Sequence, residues 1–71
     1  MKLDDRDRIT LAEALVHAIT MLSALPEQNI PTSDIADMKR LLDDLSIPSG
    51  DLAHFQNHAL ESLRALMGKR R

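Results

Sequence analysis

The stretch from Ile9 to Leu25 is apolar almost all the way round a helix, and this limits what the chain can fold into. Its polar residues Thr10, Glu13, His17 and Thr20 recur at steps of three and four and so form one narrow stripe. Ile9, Leu11, Ala12, Ala14, Leu15, Val16, Ala18, Ile19, Met21, Leu22, Ala24 and Leu25 occupy nearly all the remainder. A helix resting on one small core needs a single apolar face, whereas one that is apolar on most sides must be covered from several directions. The rest of a 71-residue chain is short for that task. The expectation is therefore a second subunit or a partner protein.

Composition narrows the ways such a chain can be stabilised. With no cysteine it has neither disulfides nor a thiolate metal site. Phe55 is the one aromatic residue, so the core must be built from Leu, Ile, Val, Met and Ala. Oligomerisation is the remaining common way for so small a domain to gain buried area. The formal net charge of −2 argues against a domain whose main task is neutralising phosphates. Met1 to Arg8 is too densely charged for a signal peptide. The apolar stretch is broken by Glu13 and His17 and stopped by Pro26, which speaks against a membrane span. The expectation is a cytoplasmic protein with no membrane partner.

The prolines divide the chain into an all-α, three-helix domain covering residues 1–71, with helices at about 5–25, 33–45 and 50–67. Asp4 can pair with Arg8 one turn on, and the acids of this segment suit a helix N-terminus. Pro26 disfavours helical geometry in the residue before it, and Glu27 to Pro31 reads as a loop. Thr32, Ser33 or Asp34 can cap the second helix, whose stripe is Ile35, Met38, Leu42 and Leu45, widened by Leu41. Pro48 makes the second joint. Ser49 or Asp51 can cap the third helix, which presents Leu52, Phe55, Ala59, Leu63 and Leu66, flanked by Leu60 and Met67. Gly68 stands where a left-handed cap is cheap, followed by Lys69, Arg70 and Arg71 at the negative end of the helix.

The second and third helices offer one apolar stripe each, but the first offers two. Leu11, Leu15, Ala18, Leu22 and Leu25 form one seam with heptad-like spacing, and Ile9, Ala12, Val16, Ile19 and Ser23 form another. One seam can take the other two helices and the second a symmetry mate, giving a homodimeric helical bundle. Leu11, Leu15, Val16, Ile19 and Leu22 are the expected dimer or partner interface. Asp37, Arg40, Asp43 and Asp44, on the polar side of the second helix, are the expected charged surface facing a partner.

Chemistry-bearing constellations are sparse. His54, His58 and Glu61 share a helix face at spacings of four and three, a set suited to zinc. A site needs three or four convergent ligands with second partners to orient the histidines, and no fourth ligand stands at suitable spacing. The expectation is no metal and no cofactor. His17, one turn after Glu13, reads as a surface contact of i,i+4 type. No serine or lysine has a general-base partner in a recognisable loop, and the only glycines are Gly50 and Gly68. The chain is expected not to be an enzyme and to have no catalytic residue.

The order Leu41, Leu45, Ile47, Leu52, Phe55 around the Ser46 to Gly50 turn resembles a helix-turn-helix unit. The resemblance spans about a quarter of the chain and implies a second helix lying in the major groove of DNA. It departs from the pattern at Leu42, where a small residue lets the two helices meet, and at Ser46, where glycine is usual. The implied recognition helix begins with Ser49, Gly50, Asp51, Ala53, His54 and Asn57, without Arg or Lys. Asp37, Asp43 and Asp44 nearby would repel phosphates. Arg64 and the terminal Lys69, Arg70 and Arg71 form the one basic cluster.

The expected function is that of a small non-enzymatic regulatory adaptor or inhibitor. It would act by protein–protein binding through helical surfaces, with itself and another protein as partners. The alternative is a dimeric helix-turn-helix transcriptional regulator that binds DNA.

Overall fold

The computed structural model describes residues 4–68 and is all-helical among them. Helix α1 spans Asp5–Ser23, a short 3-10 turn Glu27–Asn29, α2 Thr32–Asp44 and α3 Ser49–Gly68. The order is up, down, up. Arg8 near the start of α1 reaches Leu45 just past the end of α2, while Ser23 shares a groove with Thr32 and Ile35 at the start of α2. Helix α3 runs parallel to α1, with Ile47 and Asp51 beside Arg8, His58 beside His17, and Leu63 beside Met21. Helices α2 and α3 each pack on α1, and no Cα of α2 comes within 8 Å of one in α3. The result is an open V on a central helix, 43 × 24 × 20 Å.

Local chemistry explains the helix ends. Asp4 is the N-cap of α1, its carboxylate accepting from the Asp7 amide at 2.8 Å. That use of Asp4 leaves Arg8 to pair with Asp5 at 3.1 Å rather than with Asp4. Segment 27–31 is not a plain loop, because Asn29 N–H donates to the Pro26 carbonyl and Ile30 N–H to that of Glu27. The cap position of α2 falls on Pro31, which has no side-chain bond to give. Thr32, Ser33 and Asp34 therefore lie inside the helix. Helix α3 starts at Ser49 itself, with Asp51 in its first turn. Gly68 still belongs to α3, and no described glycine has a positive φ. Residues 69–71, with the basic tail, lie outside the described residues.

The core is small. Ala12 and Val16 of α1 meet Phe55 and Ala59 of α3, with Leu42, Leu45, Ile47 and Leu52 packed around them. Ala12 and Ala59 are both wholly buried, and with only a methyl group on each helix the two backbones can approach closely. Ile35 is the buried residue of α2. Met38, Leu42 and Leu45 are half-buried, but Leu41 is 50% exposed and does not widen the packed stripe. On α3, Leu66 shares the stripe of Phe55 and Ala59 yet is 59% exposed. Helix α1 ends at Ser23 and the chain turns away at Pro26, so among the described residues only the end of α1, at Met21, Ala24 and Leu25, borders the last turns of α3.

Candidate functional site

The open side of α1 is the most distinctive surface of the molecule. Two landmarks locate α2 around α1: Arg8, which donates to the Leu45 carbonyl at 2.6 Å, and Ser23, which faces Ile35 and Lys39. At about 100° per residue, Leu15, Ile19 and Leu22 fall on this α2-facing side. All three are half-buried. Val16, together with Ala12, faces α3 and is only 4% exposed.

Of the five residues expected at the interface, Val16 is therefore spent on the internal core, while Leu11 remains 40% exposed. The reason is rotational. Ala12 and Val16 pack with Phe55 and Ala59 of α3, with Leu42 of α2 against the same cluster, and half-buried Leu15 and Leu22 lie in the adjoining sector. On the side of α1 away from Ala12 and Val16 lie Leu11, Ala14 and Ala18, with Met21 and Leu25 bordering α3 beside Leu63 and Leu66. These five step by three and four in strict heptad alternation, within a band about 80° wide. Leu11, Ala14 and Leu25 are exposed, and Ala18 and Met21 half-buried. Reading the sequence alone missed this seam, because Leu15 and Leu22 compete with Ala14 and Met21 for the same spacing.

The seam runs on into an apolar groove of about 310 Å³ lined by Met21, Ala24, Leu25, Leu63, Leu66 and Met67. Leu66 and Met67 are the most exposed large apolar side chains of the described residues, at 59% and 63%. Leu60, about two turns before Met67, is also exposed.

On the polar side of α2, Asp37, Arg40, Asp43 and Asp44 are all exposed. Arg40 and Asp37 approach to 3.7 Å on that open face, a pair whose contribution is small in high-dielectric surroundings.

His54, His58 and Glu61 are exposed on one side of α3, and among the described residues no three His, Asp or Glu side chains converge in a way that could hold a metal. His58 instead meets His17 across the α1–α3 junction, ring edge to face at 5.5 Å. His17 Nδ1 donates to the Glu13 carbonyl oxygen at 2.9 Å, not to its carboxylate. A carbonyl can only accept, so Nδ1 carries the proton. The i,i+4 contact with Glu13 is thus to the backbone.

The turn between α2 and α3 has one element of helix-turn-helix geometry. Ser46 takes the left-handed conformation, φ 55°, at the place where glycine is usual. The helices on either side do not approach closely, however, with no Cα pair between them within 8 Å. Bulky Leu42, half-buried against the α1–α3 core, stands where a small residue would allow that contact.

No described helix is long and apolar enough to cross a membrane. Comparison with protein-family models, curated proteins and solved structures finds nothing that matches this chain. The class that the fold and this surface define is a small three-helix protein with a large uncovered apolar face.

Proposed function

We propose that this chain is a small non-enzymatic regulatory adaptor or inhibitor, a homodimer that binds another protein through its helical surfaces. One observation carries the reading. Folding buries only Ala12, Val16, Ile35, Phe55 and Ala59 among the apolar residues, while Leu11, Leu25, Leu60, Leu66 and Met67 stay 40–63% exposed. Contiguous exposed apolar surface on this scale marks a site of association. Burial of that surface supplies affinity, and the exposed charges of α2 steer encounter and discriminate among partners. A bound partner would have its own dimerisation or substrate surface covered.

Affinity capture with the intact chain, beside an Asp43→Lys, Asp44→Lys variant, tests this. Both aspartates are fully on the surface, so the fold should survive reversal. The reading expects one protein retained in stoichiometric amount by the wild type and largely lost by the variant. No retained protein, or equal retention by both chains, overturns it.

The left-handed turn at Ser46 favours a second reading, a dimeric DNA-binding regulator using α3. The wide separation of the α2 and α3 backbones, with no Cα pair within 8 Å, and the acids of α2 count against it. That reading expects salt-dependent binding to duplex DNA, weakened by replacing His54, Asn57 and Arg64.

A further inference from the structure

We infer that a divalent transition-metal ion of the zinc type binds at the α1–α3 junction, bridging His17 of α1 and His58 of α3. His54, one turn earlier on α3, is the third ligand. The inference is independent of the association reading above and uses none of the exposed large apolar residues.

The sequence shows only a histidine pair on α3, four residues apart, a spacing that sets the two Cβ atoms about 5–6 Å from each other. What spacing along one helix could not supply is a ligand from another, and the fold supplies it. The ring centres of His17 and His58 are 5.5 Å apart. Two imidazoles bound to one tetrahedral zinc ion through nitrogens at about 2.0–2.1 Å have ring centres about 5.2 Å apart. The packing of α1 on α3 therefore already sets these rings at the separation that a shared ion demands. They stand edge to face, at 88°, so closing on an ion takes rotation of side chains and no movement of the helices.

His17 is also prepared as a ligand. Its Nδ1–H donates to the Glu13 carbonyl oxygen at 2.9 Å, which leaves the lone pair on Nε2 and fixes the direction of the ring. Metal-binding histidines are ordinarily held in this way by a second partner. As the side chains stand, no three donors converge among the described residues, so the third ligand arrives by rotation of exposed His54. Because α1 and α3 run parallel with His17 beside His58, Glu13 and His54 lie at one level, each a turn earlier. The Glu13 carboxylate or a water completes four-coordination. A fold that buries only Ala12, Val16, Ile35, Phe55 and Ala59 gains from such a staple between two of its helices.

Zinc titration of the metal-free whole chain, followed by calorimetry and by thermal unfolding with and without EDTA, tests this. One ion per chain is expected, with a rise in Tm that EDTA reverses. His17→Gln, His54→Gln and His58→Gln should each weaken zinc binding by about tenfold or more, since losing a ligand costs at least as much as losing its outer partner. Affinity should also fall on acidification, because imidazole must be neutral to coordinate. His54 and His58 are exposed, so their variants should keep the fold, and circular dichroism of the metal-free chains checks all three. Cobalt in place of zinc gives a readout apart from stability: the visible bands of a four-coordinate ion, present in the wild type and lost in His58→Gln.

Unchanged zinc affinity in a folded His17→Gln chain would leave the ion on the α3 pair alone and overturns the bridge. Half an ion per chain would place it between two copies, which overturns the bridge as well. Absence of saturable binding, or equal binding by all the variants, means an adventitious ion only and removes the site.

Discussion

Arg8 Nη2 donates to the backbone carbonyl oxygen of Leu45 at 2.6 Å, tying the first turn of α1 to the end of α2 across 37 residues of chain. The carbonyls at a helix C-terminus have no partners within the helix, and a guanidinium there satisfies one of them while complementing the dipole. The backbones of α2 and α3 stay more than 8 Å apart, Cα to Cα, so this bond also helps to fix the angle at which α2 leaves the joint.

Arg8→Ala should therefore cost more than the loss of a surface charge. Bonds from charged donors contribute about 1.5–3 kcal/mol, and with the side chain 35% exposed a loss of about 1 kcal/mol is expected. The ion pair to exposed Asp5 adds little. Urea unfolding of Arg8→Ala beside Asp5→Ala separates the two effects, and equal losses would remove the special role of the Leu45 carbonyl.

Ser46→Gly should stabilise the protein. Ser46 sits at φ 55°, where a side chain costs about 1–2 kcal/mol and glycine nothing. The greater freedom of glycine in the unfolded chain returns about 0.4–1 kcal/mol of that gain. A rise in Tm of a few degrees is expected, at about 4–8 °C per kcal/mol for a domain of this size. A fall would show that the Ser46 side chain contributes something beyond its backbone position.

At the α1–α3 crossing, Ala59→Leu should be strongly destabilising, by about 2 kcal/mol or more, because Ala59 has no exposed surface and the extra carbons must force the helices apart. Ala53→Leu, on the exposed side of the same helix, should be near neutral. Thermal unfolding followed by circular dichroism compares them, and similar behaviour would contradict the packing described.

Val16→Glu and Ala14→Glu should part company in the same assay. Val16 lies within the core, so a glutamate there must be desolvated or break the core, and the chain should lose much of its helicity. Ala14 is exposed, and its variant should stay helical. A well-folded Val16→Glu protein would place Val16 outside the core.

Asp4→Ala should lower stability by about 1 kcal/mol through loss of the carboxylate bond to the Asp7 amide, with Asp4→Ser retaining most of it. Chemical denaturation of the three chains side by side decides this.

Much of this architecture is legible along the chain, because the features that determine it are local. Pro26 and Pro48 limit helical geometry in their own neighbourhoods, and the spacing of Ile35, Met38, Leu42 and Leu45 marks one face of α2 whatever lies opposite. The apolar excess of Ile9 to Leu25 likewise announces that α1 needs cover on several sides. Which side receives which cover is a different kind of fact. Periodicity leaves rotation about the helix axis free, so Ala14 and Met21 are as good a seam as Leu15 and Leu22 until α2 and α3 have docked. Tertiary packing chose, because paired alanines at 12 and 59 allow the closest approach of α1 and α3. That choice drew Val16 inward and left Leu11, Ala14, Ala18 and Leu25 facing out. The exposure of Leu66 has the same origin: its spacing assigns it to the core stripe of α3, but the end of α1 at Ser23 leaves it, among the described residues, only partly covered.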